Sequence, residues 1–477
     1  MFRRCVIFPI LVLVACSGQA RGPSAAGGGK TAKQPFAAQG MSQIVIYARS
    51  KTPIALPLVW EIRKISLNLA DGGQVDIPGS QTSFSFSGLQ ESQTLLAVSE
   101  IGAGTYAGVT FFTREVYSEI TGLPVSFGSK ANTVNHAFSI ISGNSTTLTL
   151  LVDLDYAGDP ETAEEFEPAF AIESDDPNPP GKLVYVANEG SADISLMDKA
   201  TKHVVYNVLV GTKPYALATD LRRRRLYIAD RKDGVIYEMD MVANRMVKAT
   251  EIEFVDEPVH IEPIAEEDML LILNYGSNSV YVMDTFSSQI IETLEVSEGP
   301  VDAVYSSLYD LAFVLSKKWG ILSVLDFSTR PVVVDTTYRV EREPIGLAID
   351  DTEEWLFISS SGSIDISIFE IRRMSIERTV TVGLGAGDIA FDPFGRRLYV
   401  CMMDTHEVLC LDPFTGVMFF RIGLPSAPGK IVFDKDEKLV YVTVPEHNAV
   451  AIIDPMAQRI ENWVETGYGP SSIAIRP

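Results

Sequence analysis

Residues 398–433 read LYVCMMDTHEVLCLDPFTGVMFFRIGLPSAPGKIVF, and their pattern decides the fold. An apolar run, Leu398-Tyr-Val-Cys401, gives way to a polar turn and a second run, Val408-Leu-Cys-Leu411, closed by Asp412. A third run, Val417 to Ile422, leads through a turn carrying Pro428 into a short fourth, Lys430-Ile-Val-Phe433. Short β-branched and aromatic runs bounded by Gly, Pro and Asp are strands joined by tight turns. The same unit recurs from Lys182 to Pro477. Apolar anchors fall at Tyr185, Tyr227, Leu271, Phe313, Phe357, Tyr399 and Tyr441, spaced 42, 44, 42, 44, 42 and 42 residues apart. Thirteen residues beyond each anchor stands an acid: Asp198, Asp240, Asp284, Asp326, Glu370, Asp412 and Asp454. A turn proline follows at 214, 258, 300, 344, 428 and 470, with Ala386 in its place in the fifth unit. Four strands in about 42 residues make one propeller blade. Seven times 42 is 294, against 296 residues from 182 to 477, so the spacing predicts an all-β, seven-bladed β-propeller.

An acid at a strand end accepts backbone N–H groups of the following turn, and proline presets φ for the turn entering the next strand. Because the acids occur in every unit, their expected role is structural rather than catalytic. Unit one opens at its second strand and unit seven ends with Ser472-Ile-Ala-Ile475. The last strand is therefore expected to become the innermost strand of the first blade.

The type Leu-Tyr-Val-x-Asn followed by Val-x-x-Asp, kept best in Leu183-Val-Tyr-Val-Ala-Asn188 and Leu271-Ile-Leu-Asn274, resembles the YVTN family of propeller repeats found in bacterial lipoproteins. Unit five departs from it, with Glu370 for Asp and no proline. The resemblance implies a fold. It implies no single activity, since the same repeat serves surface proteins, binding proteins and some enzymes.

Residues 42–173 alternate differently. Ile44-Val-Ile-Tyr47, Leu58 to Leu69, Ala107 to Phe112 and Thr146 to Val152 are separated by turns such as Asp71-Gly72-Gly73 and Ser142-Gly143-Asn144-Ser145. Strands at this spacing predict a small antiparallel β-sandwich. Ile101-Gly-Ala-Gly-Thr-Tyr106 resembles the small-Gly-x-Tyr corner of transthyretin-like and immunoglobulin-like sandwiches, and of a bacterial domain of unknown function. That likeness carries no active-site motif. Residues 174–181, within a segment with prolines at 160, 168, 177, 179 and 180, read as a stiff linker to the propeller at 182–477.

The N-terminus has its own logic. Arg3 and Arg4 precede an apolar run from Val6 to Val14 broken by Pro9, too short to span a bilayer and suited to a secretory signal over residues 1–15. Leu13-Val14-Ala15-Cys16 resembles a lipobox, implying lipidation at Cys16; the alternative is a plain secretory peptide with an incidental cysteine. Ser17 resembles an outer-membrane sorting signal in a Gram-negative host. Residues 16–41, rich in Gly, Ala, Ser and Lys, read as a flexible tether. The expected location is the cell envelope, at the outer membrane, held by the lipid anchor. The net charge is −23; loss of residues 1–15 removes two arginines and leaves 37 bases against 62 acids, or −25. Nucleic acid, whose phosphates need a basic footprint, is excluded as a partner. A divalent cation is compatible with this balance, and no cofactor is expected.

Motifs for chemistry are sparse. The five histidines, at 136, 203, 260, 406 and 447, form no zinc-protease, c-haem or zinc-finger pattern, and no nucleophile elbow or phosphate loop occurs. Cys401, Met402, Met403, His406 and Cys410 combine soft sulfur with imidazole and suit a thiophilic metal; a disulfide between the two cysteines, or two inert strand thiols, are the other readings. Arg222–Arg225 is a dense basic turn, read either as a dock for an acidic partner or as a locally balanced surface. Acidic turns at 266–268, 350–354 and 434–437 match no calcium loop. Asn188, Asp230 and Asn274, closing equivalent strands of three adjacent units, are polar candidates for the channel mouth. The first expectation is thus a non-catalytic scaffold binding a protein, peptide or glycan. A propeller enzyme of lactonase or lyase type acting at the channel mouth is the second, and a soft-metal binder the third.

Overall fold

In the computed structural model, residues 42–51, 57–80, 82–86, 93–154, 166, 168–174, 181–252 and 256–476 are described, all within one compact unit, 35–477. The signal segment, Cys16, the tether and most of the proline-rich linker lie outside the described residues.

From Leu183 onward the chain forms seven four-stranded sheets. Six are built from consecutive strands: β13–β16 (214–251), β17–β20 (258–295), β21–β24 (300–339), β25–β28 (344–381), β29–β32 (386–423) and β33–β36 (431–465). The first blade takes β10 (Leu183–Asn188), β11 (Asp193–Asp198) and β12 (His203–Leu209) from the start of the repeat and β37 (Pro470–Ile475) from its end. Val184 pairs with Ile475 and Ala187 with Ser472, antiparallel, so the last strand closes the ring as the repeat requires. The inner strands β37, β13, β17, β21, β25, β29 and β33 neighbour one another all the way round. The chain is a seven-bladed β-propeller.

Each anchor occupies the same place in its blade. Tyr185, Tyr227, Phe313, Phe357, Tyr399 and Tyr441 lie on second strands and are almost wholly buried between neighbouring blades. Six of the repeat acids bend back over the following turn. Asp198 Oδ1 accepts Ala200 N at 3.1 Å and Thr201 N at 2.8 Å. Asp454 Oδ1 accepts Met456 N at 2.7 Å and Ala457 N at 3.0 Å. Asp240, Asp284, Asp326 and Asp412 accept turn N–H groups in the same way. Glu370, one methylene longer, instead pairs with Arg373 at 3.1 Å.

Residues 42–174 form two sheets, β5-β1-β8-β9 and β3-β2-β6-β7 with β4 beside β2, packed over one core that includes Ile44, Ile46, Trp60, Phe86, Phe111 and Leu148. These strands are β1 (Ser42–Ser50), β2 (Leu58–Leu69), β3 (Gln74–Asp76), β4 (Thr82–Ser85), β5 (Thr94–Ile101), β6 (Gly104–Ser118), β7 (Ala131–Ile140), β8 (Ser145–Asp153) and β9 (Ala169–Ser174). One pairing, β1 with β8, is parallel, because the chain crosses to the other sheet between them and returns in the same direction. Tyr106 donates its hydroxyl to Gly102 O at 2.8 Å, bracing the glycine corner four residues upstream.

The run Ile44-Val-Ile-Tyr47 is apolar at every position because β1 is buried on both faces. Ile44 and Ile46 enter the sandwich core, while Val45 and Tyr47 join Val184, Val186, Met197, Tyr441, Val450 and Val464 of the propeller. The sandwich is therefore docked against the ring. It sits over the outer edges of the first and last blades. Gln93 exchanges two hydrogen bonds with Val204 of β12, at 2.7 and 3.2 Å, and bridges to Val464 of β36; Leu95 N donates to Glu465 Oε2 at 2.6 Å. Gln43, Tyr47 and Thr147 add bonds to Ser191 and Asn207 of the first blade.

Candidate functional site: the channel mouth and its floor

A cavity of about 1070 Å³ occupies the propeller axis and opens on the face formed by the turns between second and third strands. Its lining follows the repeat. Where the second strand ends, its last residue lies opposite the inner-strand proline: Asp230 pairs with Pro214, Asn274 with Pro258, Ser316 with Pro300. The register then slips by one between this proline and the residue two positions on. Such a bulge re-aims a side chain. The residues two beyond the proline position thus form a floor: Ser472, Ala216, His260, Asp302, Asp388 and Lys430 in blade order, with Gly346 at the equivalent position of the fifth blade. The residues opening the second-to-third-strand turns form the rim: Glu189, Arg231, Tyr275, Lys317, Met403 and Pro445, while Ser361, at the same position of the fifth blade, lies outside the lining.

Three floor side chains stitch an inner strand to the next. Ser472 Oγ accepts Leu217 N at 3.2 Å, Asp302 Oδ2 accepts Leu347 N at 2.8 Å and Asp388 Oδ2 accepts Ile431 N at 2.9 Å. Their free atoms meet over the channel. His260 Nδ1 lies 2.8 Å from Asp302 Oδ1, and Lys430 Nζ lies 3.0 Å from Asp388 Oδ1 and 3.7 Å from Asp302 Oδ1. Gly346, between the two aspartates, lets the inner strands approach closely, since a Cβ there would come within 2.9 Å of Ser359 Oγ and 3.1 Å of Asp388 Cα. Burial opposes charge on Asp302, but Lys430 and His260 outweigh it and hold its carboxyl below the usual range. Burial and the Asp302 charge together push Asp388 up. The two carboxylates hold Lys430 well above the ordinary lysine value in spite of its burial.

Glu262, two residues beyond His260 on β17, faces the same space. Burial pushes its carboxyl up to about 7, against the partial opposition of His260 and a bond from Tyr305 N. With the Asp302 carboxylate on Nδ1, His260 presents Nε2 toward Glu262, 3.9 Å away, and that nitrogen has no hydrogen-bond partner among the described residues. The floor therefore mixes a cation, two ionisable carboxyls already bonded to backbone, an imidazole with a free nitrogen and a carboxyl poised near neutrality.

The residues singled out in the sequence sit one position away from this lining. Asn188, Asp230 and Asn274 are fully buried. Asn188 donates to Asp193 and Ser195; Asp230 accepts Thr212, Lys213, Lys232 and Asp233 N–H groups at 2.6–2.9 Å; Asn274 bonds Ser279. They brace the rim from beneath, and strand alternation hands the mouth to their successors, Glu189, Arg231 and Tyr275. The soft ligands are also dispersed. Cys401 and Cys410 are free and buried in the core toward the seventh blade, Met402 enters the opposite core toward the fifth, Met403 reaches the rim and His406 stands in the hairpin turn. Among the described residues no metal-binding cluster of His, Cys, Asp and Glu occurs. Of the basic turn, Arg222 pairs with Asp268, Arg223 lies 4.0 Å from the Phe286 ring and Arg225 bridges Glu238 and Asp240. His260 and Lys430 were legible only as the residues two beyond a turn proline.

No family model matches the chain. It is 21% identical over 291 residues to the uncharacterized protein YncE of Salmonella typhimurium, covering 56% of this chain and 80% of that protein, and 20% identical to YncE of Salmonella typhi. Among solved structures it is similar to a functionally unknown protein from Desulfotomaculum acetoxidans, with a TM-score of 0.55, 11% identity and coverage of 62% of this chain and 99% of that one. It is also similar to hydrazine synthase of Kuenenia stuttgartiensis, with a TM-score of 0.51, 16% identity and coverage of 58% and 93%. At these identities the likeness is one of fold.

Proposed function

We propose that this protein is an envelope-held binding protein whose propeller takes a polar ligand into the mouth of its central channel. The observation that carries the reading is the contrast between positions. Anchors and turn acids repeat from blade to blade, whereas the rim and floor carry a different side chain in almost every blade, most of them polar or charged. A pocket of this size with a few convergent polar groups is a general ligand site. The Leu13-Val14-Ala15-Cys16 segment supports an outer-membrane lipid anchor, and the acidic balance argues against nucleic acid.

The test is a thermal-shift and equilibrium-dialysis screen of saccharides, organic acids and short peptides against the full chain and a Met403→Trp variant that crowds the rim. Ligands that bind the natural chain and lose affinity in the variant support the reading. A screen in which nothing binds, or in which both proteins bind alike, removes it.

A second reading rests on one feature of the floor. His260, oriented by Asp302, and Glu262, titrating near 7, make an acid–base pair suited to lactone hydrolysis or to elimination. The binding reading stands first because Asp302 and Asp388 are both engaged in joining inner strands. Turnover of a bound ligand that disappears in His260→Gln while affinity remains would reverse that order.

A further inference from the structure

We infer that the ligand of this mouth is a short acidic saccharide, one whose sugar rings carry carboxylates. The inference rests on the channel-binding reading and names its ligand class. It starts from the distribution of charge. The chain is acidic by 23 charges, yet the rim residues of the second, third and fourth blades are Arg231, Tyr275 and Lys317: cation, aromatic ring, cation. Lys213, beside them, is matched by Glu189 at 3.0 Å. Lys317 forms no ion pair among the described residues, and Arg231 has only Glu257 at 3.7 Å. On the other side of the mouth, Met403 and Pro445 carry no charge.

The aromatic groups are set as platforms. Tyr275 keeps 39% of its surface exposed, and its ring lies over Gly299, where a Cβ would come within 3.2 Å of Cε2; with φ at +72°, the glycine is also needed for the turn. The Arg231 guanidinium lies 4.8 Å from the Tyr215 ring centre and 3.7 Å from Glu257 at one nitrogen, with further N–H groups for an anion. A flat aromatic face packs against the C–H face of a sugar ring, and guanidinium and ammonium groups on either side match its carboxylates. Below, the unpartnered His260 nitrogen and the Glu262 carboxyl offer a donor and an acceptor, as hydroxyl groups require. A polyanion with one phosphate per unit would meet the field of the whole acidic chain, whereas a short oligomer brings few charges and can sit within the rim.

The experiment is isothermal titration of the full chain with trigalacturonate, its methyl ester and inorganic phosphate. Trigalacturonate should bind, and the neutral ester should bind at least about tenfold more weakly, as should trigalacturonate to Arg231→Ala, Lys317→Ala and Tyr275→Ala, with melting temperatures unchanged. Absence of trigalacturonate binding, equal affinity for the ester, or phosphate binding as tightly as the sugar overturns the inference. If trigalacturonate fails while another compound binds the natural chain and not Met403→Trp, the acidic-sugar inference falls and the channel reading stands. If nothing binds, both fall.

Discussion

Lys199 and Asp434 join the first blade to the seventh, and their separation is a direct probe of how the ring is held shut. The ammonium lies 2.6 Å from Asp434 Oδ2, and the two side chains are 1% and 2% exposed. At that distance, with an effective dielectric constant of about 20, the attraction is on the order of 6 kcal/mol, and desolvation of both ions offsets most of it. The pair itself thus adds little net stability. Removing one member is different, because Lys199→Met strands a carboxylate in the seam. Such changes cost about 3–5 kcal/mol. The lower end applies here, since Asp434 still accepts Asp436 N at 3.0 Å and Lys182 reaches Asp436 nearby. Lys199→Met with Asp434→Leu should recover to within about 1.5 kcal/mol of the natural chain. Guanidinium denaturation followed by tryptophan fluorescence is the assay: Trp463 on β36 reports the seam and Trp60 the sandwich core. A single variant within about 1 kcal/mol of the natural chain, or a double variant no better than the single, would refute this account of the seam.

Four further outcomes follow from the same geometry. Deleting residues 472–477 removes most of β37 and leaves the first blade without its inner strand; calorimetry should show a lower and broader transition, and an unchanged melt would contradict the closure. Lys430→Ala leaves Asp302 and Asp388 without the ammonium between them; the melting temperature at pH 7 should fall and recover with millimolar calcium or manganese, which does not affect the natural chain. Glu465, buried where the sandwich docks, titrates at about 7 against an ordinary 4.5. A raised carboxyl stabilises the fold below its unfolded pKa and loses that contribution as pH rises through the folded one, so Glu465→Gln should melt higher than the natural chain at pH 8 and equally at pH 4. Glu262, among His260, Asp302 and Lys430, becomes charged above about 7, so affinity for an acidic saccharide should drop between pH 6 and 8 in the natural chain and stay level in Glu262→Gln.

The blades were legible because every unit buries the same strand between its neighbours: an apolar anchor every 42 or 44 residues cannot be accidental in seven units. The closing strand was legible for the same reason, as three strands left at one end of the repeat and one at the other. The channel lining was not, for a reason of phase. Side chains alternate along a strand, so Asn188, Asp230 and Asn274 went beneath the rim and Glu189, Arg231 and Tyr275 onto it, while the slip beyond the turn proline re-aimed the inner-strand residues of the floor. His260 carried no motif, since its partner Asp302 is 42 residues away and meets it only through the ring. The docking of the sandwich left one trace in the sequence, the unbroken Ile44-Val-Ile-Tyr47 run, whose second face needs a partner that no local pattern identifies.

The seat of the sandwich across the first and last blades has a mechanical consequence. A ring closed by a single terminal strand has one weak joint, and tension applied at a chain end would ordinarily open it there like a zipper. Here any pull entering from residues before Ser42 meets β1 first, and β1 is wedged between the sandwich core and both blades of that joint. Gln93 and Leu95 then divide the load between Val204 on one side and Val464 and Glu465 on the other. The load thus reaches both blades of the joint through several bonds at once.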